Sequence, residues 1–398
     1  MRCLVRSKST SRSCSFASQF HRGRIRGVPA EHVHADDASP LDVLVRLDAL
    51  TARWGFDPYP GLANGHLQTI AGALWRRTFP AVPGERESRY LDMKDGTRVL
   101  LRFDWQADRA SRPTALLVHG LEGSDASRYM LGTADKLVAA GWNAVRMNIR
   151  NCGDTEHLSP TLYHSGMTGD LAEVLSNLVE VESLDAVAIV GFSLGGNVTL
   201  KMTGELGSRA PAQLLGVATV SPAIDLSAAA ARLESRENWL YTRRFVRSLR
   251  RRMLKKDEHF PGQFDVSKLR GMRTVREYDD RYIAPLYGFR DAEDYYEQAS
   301  CRHVLSSIAV PALLLHATDD PFIPLTGRVR KAASENPLLR IVETPHGGHV
   351  GWVAADRGRD SVAEDRHWVE NRVVDFLHLL AEARCQNPTA NPTAALIP

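Results

Sequence analysis

Three short runs hold the residue types that acyl transfer needs. In Gly191-Phe192-Ser193-Leu194-Gly195 a serine stands between two glycines, after the apolar run Ala186–Val190 and before a helical pattern from Gly196. A serine hydroxyl is a weak nucleophile until a neighbouring base takes its proton. On a sharp strand-to-helix turn it is lifted clear of the backbone, and the following helix N-terminus faces any negative charge that develops. Side chains at Gly191 and Gly195 would collide with the backbone of such a turn. The five-residue pattern is common by chance, so its strand-before, helix-after setting carries the weight. In His316-Ala317-Thr318-Asp319-Asp320-Pro321 an acid follows an apolar run and can orient an imidazole. Asp320, directly before the Pro-x-x-Pro run, is the favoured acid; Asp319 competes and otherwise reads as a turn or helix-cap residue. In His346-Gly347-Gly348-His349-Val350-Gly351-Trp352 glycines surround a general base on a loop free to swing over the serine. His349 is favoured there, with His346 the alternative. A metal reading of the two histidines lacks a matching acid or cysteine cluster, so no metal is expected.

Residues so far apart need a frame. Short apolar runs at Tyr90–Met93, Arg98–Trp105, Ala115–His119, Ala144–Ile149, Ala186–Gly191, Leu215–Val220, Ala312–His316 and Arg340–Thr344 read as strands. Asp95-Gly96 predicts a hairpin between the first two. Helical patterns at Ser127–Ala140, Thr168–Val181 and Asp365–Ala383 fill gaps between them. Such alternation implies a mostly parallel sheet with helices on both faces. The chain order Ser, Asp, His is that of the α/β-hydrolase fold. In that fold one oxyanion-binding amide follows the nucleophile and another comes from the loop after an earlier strand. These would be Leu194 and Leu121, the latter in His119-Gly120-Leu121-Glu122-Gly123. His119 itself reads as a support for the loop. The alternation breaks once, between Val220 and Ala312, where an inserted cap is expected. The expected layout is a tail over 1–35, a hydrolase core over 36–225 and 305–385, a helical cap over 226–304, and a tail over 386–398.

Other runs resemble one subgroup of that fold. Asn64-Gly65-His66-Leu67-Gln68-Thr69 resembles the signature of the YheT-like bacterial hydrolases, to which plant EMB8-like proteins and animal ABHD-type lipases are related. The similarity continues through Arg150-Asn151-Cys152, Tyr163-His164-Ser165-Gly166, Glu277-Tyr278-Asp279-Asp280 and Ala284-Pro285-Leu286-Tyr287-Gly288-Phe289, and spans about residues 55–380. The resemblance implies a serine hydrolase acting on esters without a cofactor. Asn151 stands where the subgroup pattern has glycine; asparagine tolerates left-handed backbone, so the change reads as neutral. The bottom-up reading of His66–Thr69 is a polar cluster before a short helix near the active-site mouth, without a catalytic role.

The net charge of +3 is a sum of unlike parts. Residues 1–30 carry seven Arg or Lys and no acid, the composition of an organelle transit peptide or of a tail outside the folded protein. Trp239–Lys256 carries eight Arg or Lys and no acid, which leaves an acidic remainder. Within it Tyr241, Phe245, Leu249 and Met253 form an apolar stripe, so an amphipathic helix is expected, its basic face either solvated or set against acids elsewhere. Peripheral contact with an anionic membrane through 239–256 is the functional reading. A nucleic-acid partner is not expected, because the stretch lacks interleaved stacking aromatics. No apolar run approaches the roughly 18 residues that span a bilayer. The five cysteines (Cys3, Cys14, Cys152, Cys301, Cys385) are odd in number and widely spaced, which favours a reducing compartment and a cytoplasmic location. The expected substrate is a small-molecule or lipid ester. The rival functions are a carboxylesterase, a lipid-directed lipase or acyltransferase, and a non-catalytic binding protein on a hydrolase fold.

Overall fold

One sheet of eight strands organises the chain, which the computed structural model describes over residues 40–355 and 365–386. The expected tail over 1–35 and nearly all of that over 386–398 lie outside the described residues; the last helix runs one residue into the latter, ending at Gln386. The strands are β1 (Glu85–Asp92), β2 (Arg98–Trp105), β3 (Thr114–Val118), β4 (Asn143–Met147), β5 (Val187–Phe192), β6 (Leu214–Val220), β7 (Ala312–Ala317) and β8 (Leu339–Thr344). They lie in the order β1-β2-β4-β3-β5-β6-β7-β8. The β1–β2 and β2–β4 pairs are antiparallel and the rest parallel, so the sheet is mostly parallel. β1 starts five residues before the expected Tyr90. Its first half, Glu85-Arg86-Glu87-Ser88-Arg89, is charged because it lies on a sheet edge, where no apolar run is required.

The helices are α1 (Pro40–Thr51), α2 (Gly65–Leu74), α3 (Arg128–Ala139), α4 (Gly169–Ser176), α5 (Leu194–Leu206), α6 (Leu226–Leu233), α7 (Trp239–His259), α8 (Val275–Tyr278), α9 (Ala284–Tyr287), α10 (Ala292–Ala299), α11 (Gly327–Ser334) and α12 (Trp368–Gln386). The central strands are buried on both faces. In β5, Val187 and Ile189 join one core layer, while Ala188, Val190 and Phe192 join the other. Two-fold alternation along a continuously apolar strand therefore feeds two layers at once.

Between β6 and β7 the described chain is helical, from α6 through α10. It has its own apolar cluster, which includes Leu226, Leu233, Leu249, Met253, Tyr278 and Tyr296. Cys301 and Leu305 already pack in the core beneath the sheet. The buried stripe of α7 differs from the expected one. Thr242, Val246, Leu249 and Met253 are buried, while Tyr241 and Phe245 are only half-buried. Arg252 and Lys256 turn inward as well. Arg252 Nε donates to Glu122 Oε1 at 2.8 Å, and both side chains are almost fully buried. The Glu122 carboxylate also accepts Tyr163 Oη–H (2.8 Å) and Ser248 Oγ–H (2.5 Å). Lys256 Nζ donates to Asn151 Oδ1 (3.1 Å), the Glu156 carbonyl (3.0 Å) and the Ser159 carbonyl. Burial pushes this ammonium down to about 8. Asn151 adopts the expected left-handed backbone (φ 65°), but it is more than neutral. Its side chain also donates to the Thr161 carbonyl at 2.8 Å, so it ties two segments together.

Removing one partner of a buried pair strands the other charge. Glu122→Gln and Arg252→Met are each expected to lower the unfolding free energy by about 3–5 kcal/mol, read by urea denaturation. The double variant should lose less than the two single losses added, because no charge is then stranded.

Candidate active site

The passage from β5 into α5 is built without room for side chains on either side of Ser193. A methyl group on Gly191 would lie 2.5 Å from the Gly195 carbonyl oxygen, and one on Gly195 would lie 2.5 Å from the Val118 carbonyl oxygen. Both distances are far inside van der Waals contact. Ser193 itself sits at φ 53°, ψ −115°, which L residues rarely adopt. Its N–H donates to the Val220 carbonyl (2.9 Å), and its carbonyl accepts from Ala223 and Asn197 (3.2 Å each).

His349 lies against the half-buried Ser193 hydroxyl. Its Nε2 is 2.9 Å from Ser193 Oγ, and its Nδ1 is 2.8 Å from Asp320 Oδ2. The Asp320 side chain is fully buried. Its second oxygen accepts the Phe322 and Ile323 amides (2.8 and 3.0 Å). Burial alone would raise this carboxyl. The facing His349 and these amides outweigh it and hold the group below the usual carboxylate range, so it is ionised. Asp319 points elsewhere. Its Oδ1 accepts the Gly348 amide (2.8 Å) and its Oδ2 lies 3.4 Å from His346 Nδ1. The structure thus brings Ser193, His349 and Asp320 into one hydrogen-bonded chain, and leaves Asp319 and His346 as supports of the same loop.

Leu121 and Leu194 both line the cavity beside Ser193. The amides flanking Leu121 are engaged elsewhere: Gly120 N–H donates to Tyr129 Oη (3.0 Å) and Glu122 N–H to Tyr163 Oη (3.1 Å). His119 is fully buried, accepts the Ile149 amide on Nε2 (3.0 Å) and faces the Gly120 carbonyl through Nδ1 (2.8 Å). Burial drives its imidazole down to about 4, so it is a neutral strut for the loop.

The His66–Thr69 run has more to do with this site than the sequence suggested. It lies inside α2, which Asn64 caps by accepting the His66 and Leu67 amides, and not ahead of the helix. Thr69 Oγ1 accepts the His349 amide (2.8 Å) and donates to the Gly65 carbonyl (2.6 Å). Gln68 is fully buried, donates to the Val353 carbonyl (3.1 Å) and accepts the Val353 amide (2.7 Å). The glycines of the histidine loop accordingly serve close packing, not free swinging. A methyl on Gly351 would lie 2.5 Å from the Gln68 carbonyl oxygen. No local signal marks this role: Gln68 and Thr69 point about 100° apart on the helix, and only the packing of α2 against the loop brings both to it.

The cavity above Ser193 has about 830 Å³ of free space, its open mouth included. Its walls are mainly apolar and come largely from the inserted segment: Leu226 and Leu233 of α6, Phe245 and Leu249 of α7, and Val275 of α8. One carboxyl lines it too. Asp279 is buried, and burial pushes it up to about 7 even though Tyr296 Oη–H donates to it at 2.6 Å. Among the described residues no group of three or more His, Cys, Asp or Glu could hold a metal ion.

Residues 113–352 match the model of the family described as "alpha/beta hydrolase fold". The chain is 32% identical over 332 residues to "Putative esterase YheT" of Escherichia coli (strain K12), covering 83% of this chain and 94% of that protein. It is 30% identical over 293 residues to "Phospholipase ABHD3" of Mus musculus, covering 71% of this chain and 70% of that one. It is 28% identical over 263 residues to "Monoacylglycerol lipase" of Saccharomyces cerevisiae (strain ATCC 204508 / S288c), covering 64% of this chain and 58% of the other.

Thr69→Val keeps the shape of the side chain and removes the acceptor for the His349 amide. Labelling of Ser193 by a fluorophosphonate is expected to slow about tenfold, the worth of one such hydrogen bond, with little change in melting temperature. For Asp279 the folded carboxyl titrates near 7 and the unfolded one near an ordinary 3.9. Its stabilising contribution is therefore complete below about pH 4 and lost as the pH rises through 7. Asp279→Asn removes that dependence. Relative to wild type, its melting temperature should be higher at pH 8 than at pH 4.5.

Proposed function

The chain belongs to the α/β-hydrolase fold family, and from that premise we propose that it is a serine ester hydrolase working through Ser193, His349 and Asp320. One observation carries the reading: the continuous hydrogen-bonded chain from Ser193 Oγ through His349 to the ionised Asp320, opening on an apolar cavity. His349 Nε2 takes the hydroxyl proton as Ser193 Oγ bonds to the acyl carbon. Asp320 holds Nδ1–H in the required tautomer and stabilises the imidazolium. The carbonyl oxygen becomes an oxyanion, which the Leu121 and Leu194 amides receive. As the intermediate collapses, His349 Nε2–H protonates the departing alcohol and leaves an acyl-Ser193. Water then attacks the acyl carbon, giving a proton to His349. Collapse of the second intermediate releases the acid and returns that proton to Ser193 Oγ. Residues 226–300 serve as the cap that shapes the acyl site, and the core resumes at Cys301, a few residues before the expected 305.

The substrate is a small-molecule or lipid ester. The lipid-directed form, a lipase or acyltransferase, is favoured over a general carboxylesterase by the apolar walls of the cavity. No helix among the described residues is long and apolar enough to cross a membrane. The buried free thiols of Cys152 and Cys301, which burial holds protonated, suit a reducing compartment such as the cytoplasm.

An ester-library screen with fluorophosphonate labelling tests the proposal. Ser193→Ala should abolish labelling and cut turnover by roughly 10⁴-fold or more. Asp320→Asn should cost about 10³–10⁴-fold through loss of the correct tautomer, and Asp319→Asn only about tenfold. Labelling that persists in Ser193→Ala, or a larger loss in Asp319→Asn than in Asp320→Asn, overturns the assignment. A folded protein with no labelling and no turnover would be the binding protein instead.

A further inference from the structure

The eight basic residues of α7 separate into two sets with different surroundings. Arg252 and Lys256 are buried and bonded to core groups, as described above, and Lys255 is paired with Asp154 at 3.0 Å. Arg243, Arg244, Arg247, Arg250 and Arg251 are exposed. Among the described residues none of these five has an ion pair or a side-chain hydrogen bond. Trp239, Leu240 and Leu254 of the same helix are exposed as well, each by more than half. At 3.6 residues per turn these eight positions fill one unbroken arc of about 140°, from Trp239 through Leu254 to Arg244. Acids enter the helix only in its last turns, as Asp257 and Glu258.

The outer arc is also one wall of a groove. Arg243, Arg247, Arg250 and Arg251 line it from α7, and Arg273, exposed and equally without an ion partner among the described residues, lines it from the segment before α8. The acid at its edge, Glu234, is already ion-paired with Arg276 (4.0 Å). Guanidinium groups match phosphate oxygens in a two-pronged geometry, and five of them around one groove demand an anionic partner. The exposed tryptophan and leucines set between them are the side chains that sink into the headgroup–acyl boundary of a bilayer. A second helix with exposed apolar side chains touches α7 at Tyr241. α2 exposes Leu67, Ile70 and Leu74 at i, i+3, i+7, and its His66 stacks on Tyr241 of α7 with ring centroids 5.7 Å apart.

We infer that the outer face of α7, with the groove it shares with Arg273, docks on the phosphate headgroups of an anionic phospholipid bilayer. The docking stands on these surface residues alone; what it serves rests on the function proposed above. Phe245 and Leu249, on the inner side of α7, line the cavity over Ser193, so a docked bilayer lies about one helix diameter, ~10 Å, from the acyl site.

Cosedimentation of the full chain with vesicles tests this. Vesicles of phosphatidylcholine alone are compared with vesicles containing about one third phosphatidylglycerol. Binding should be at least tenfold stronger on the anionic vesicles and should be lost in high salt. Arg243→Gln/Arg247→Gln/Arg250→Gln should lose at least tenfold of that binding while keeping native fluorophosphonate labelling and melting temperature. Trp239→Ser/Leu254→Ser should weaken it further in low salt. The inference is overturned if the chain ignores anionic vesicles. It is overturned equally if the triple-glutamine variant binds like wild type, as it would were the basic residues 1–30 responsible. Displacement by millimolar inorganic phosphate would make the groove a small-anion site, and binding to an oligonucleotide but not to vesicles would make it a nucleic-acid surface; either result also overturns it. Loss of Ser193 labelling with vesicle binding intact would instead bring down the proposed function and leave the docking surface standing.

Discussion

At Ser193 the backbone is held at φ 53°, and everything that surrounds the hydroxyl is arranged around holding it there. Such a conformation costs on the order of 1–3 kcal/mol and persists only where its surroundings leave no alternative. Here β5 lies between β3 and β6, buried on both faces. The ends of those neighbours supply the constraint. The Val118 carbonyl closes on Gly195 from one side, and the Val220 carbonyl takes the Ser193 amide from the other. A turn this tight needs a rigid sheet behind it, and the sheet needs both core layers to be rigid.

The second organising contact is ionic. Glu122 stands in the loop beside Ser193, yet its carboxylate is committed to Arg252 and Ser248 of α7 and to Tyr163. The loop that borders the nucleophile is thereby fastened to the inserted helix. The same helix lines the cavity with Phe245 and Leu249. Charge that looked like one basic run divides in two: an inner set bonded to buried acceptors and an outer set that has no partner within the described residues. The small net charge of +3 conceals that division entirely.

A third contact explains a motif that the residues alone left without a purpose. α2 presents apolar side chains to solvent on one side and Gln68 and Thr69 to the histidine loop on the other. Two backbone groups of Val353 and the His349 amide all find their partners in this one helical turn. The loop is therefore anchored, and the imidazole is aimed by backbone hydrogen bonds as well as by Asp320.

What is local was legible from the residues. Two-residue alternation and apolar runs located the strands from β2 to β8, and glycine on both sides of Ser193 announced a turn in which no side chain fits. The edge strand β1 was cut short because an exposed edge carries no apolar signature. Local chemistry also singled out two acids and two histidines, but their pairing is a matter of distance in space. Asp320 reaches His349 across 29 residues, and Thr69 reaches it across 280. Whether an arginine of α7 is buried against Glu122 or turned to solvent depends on which arc of the helix meets the core, and neighbouring residues in the chain cannot set that. The sequence by itself determined the elements, their order and the candidate chemistry. Only tertiary packing decided which acid meets which base, what clamps the loop that carries it, and which charges are left facing outward, because each of these is a contact between segments that meet only when the sheet has formed.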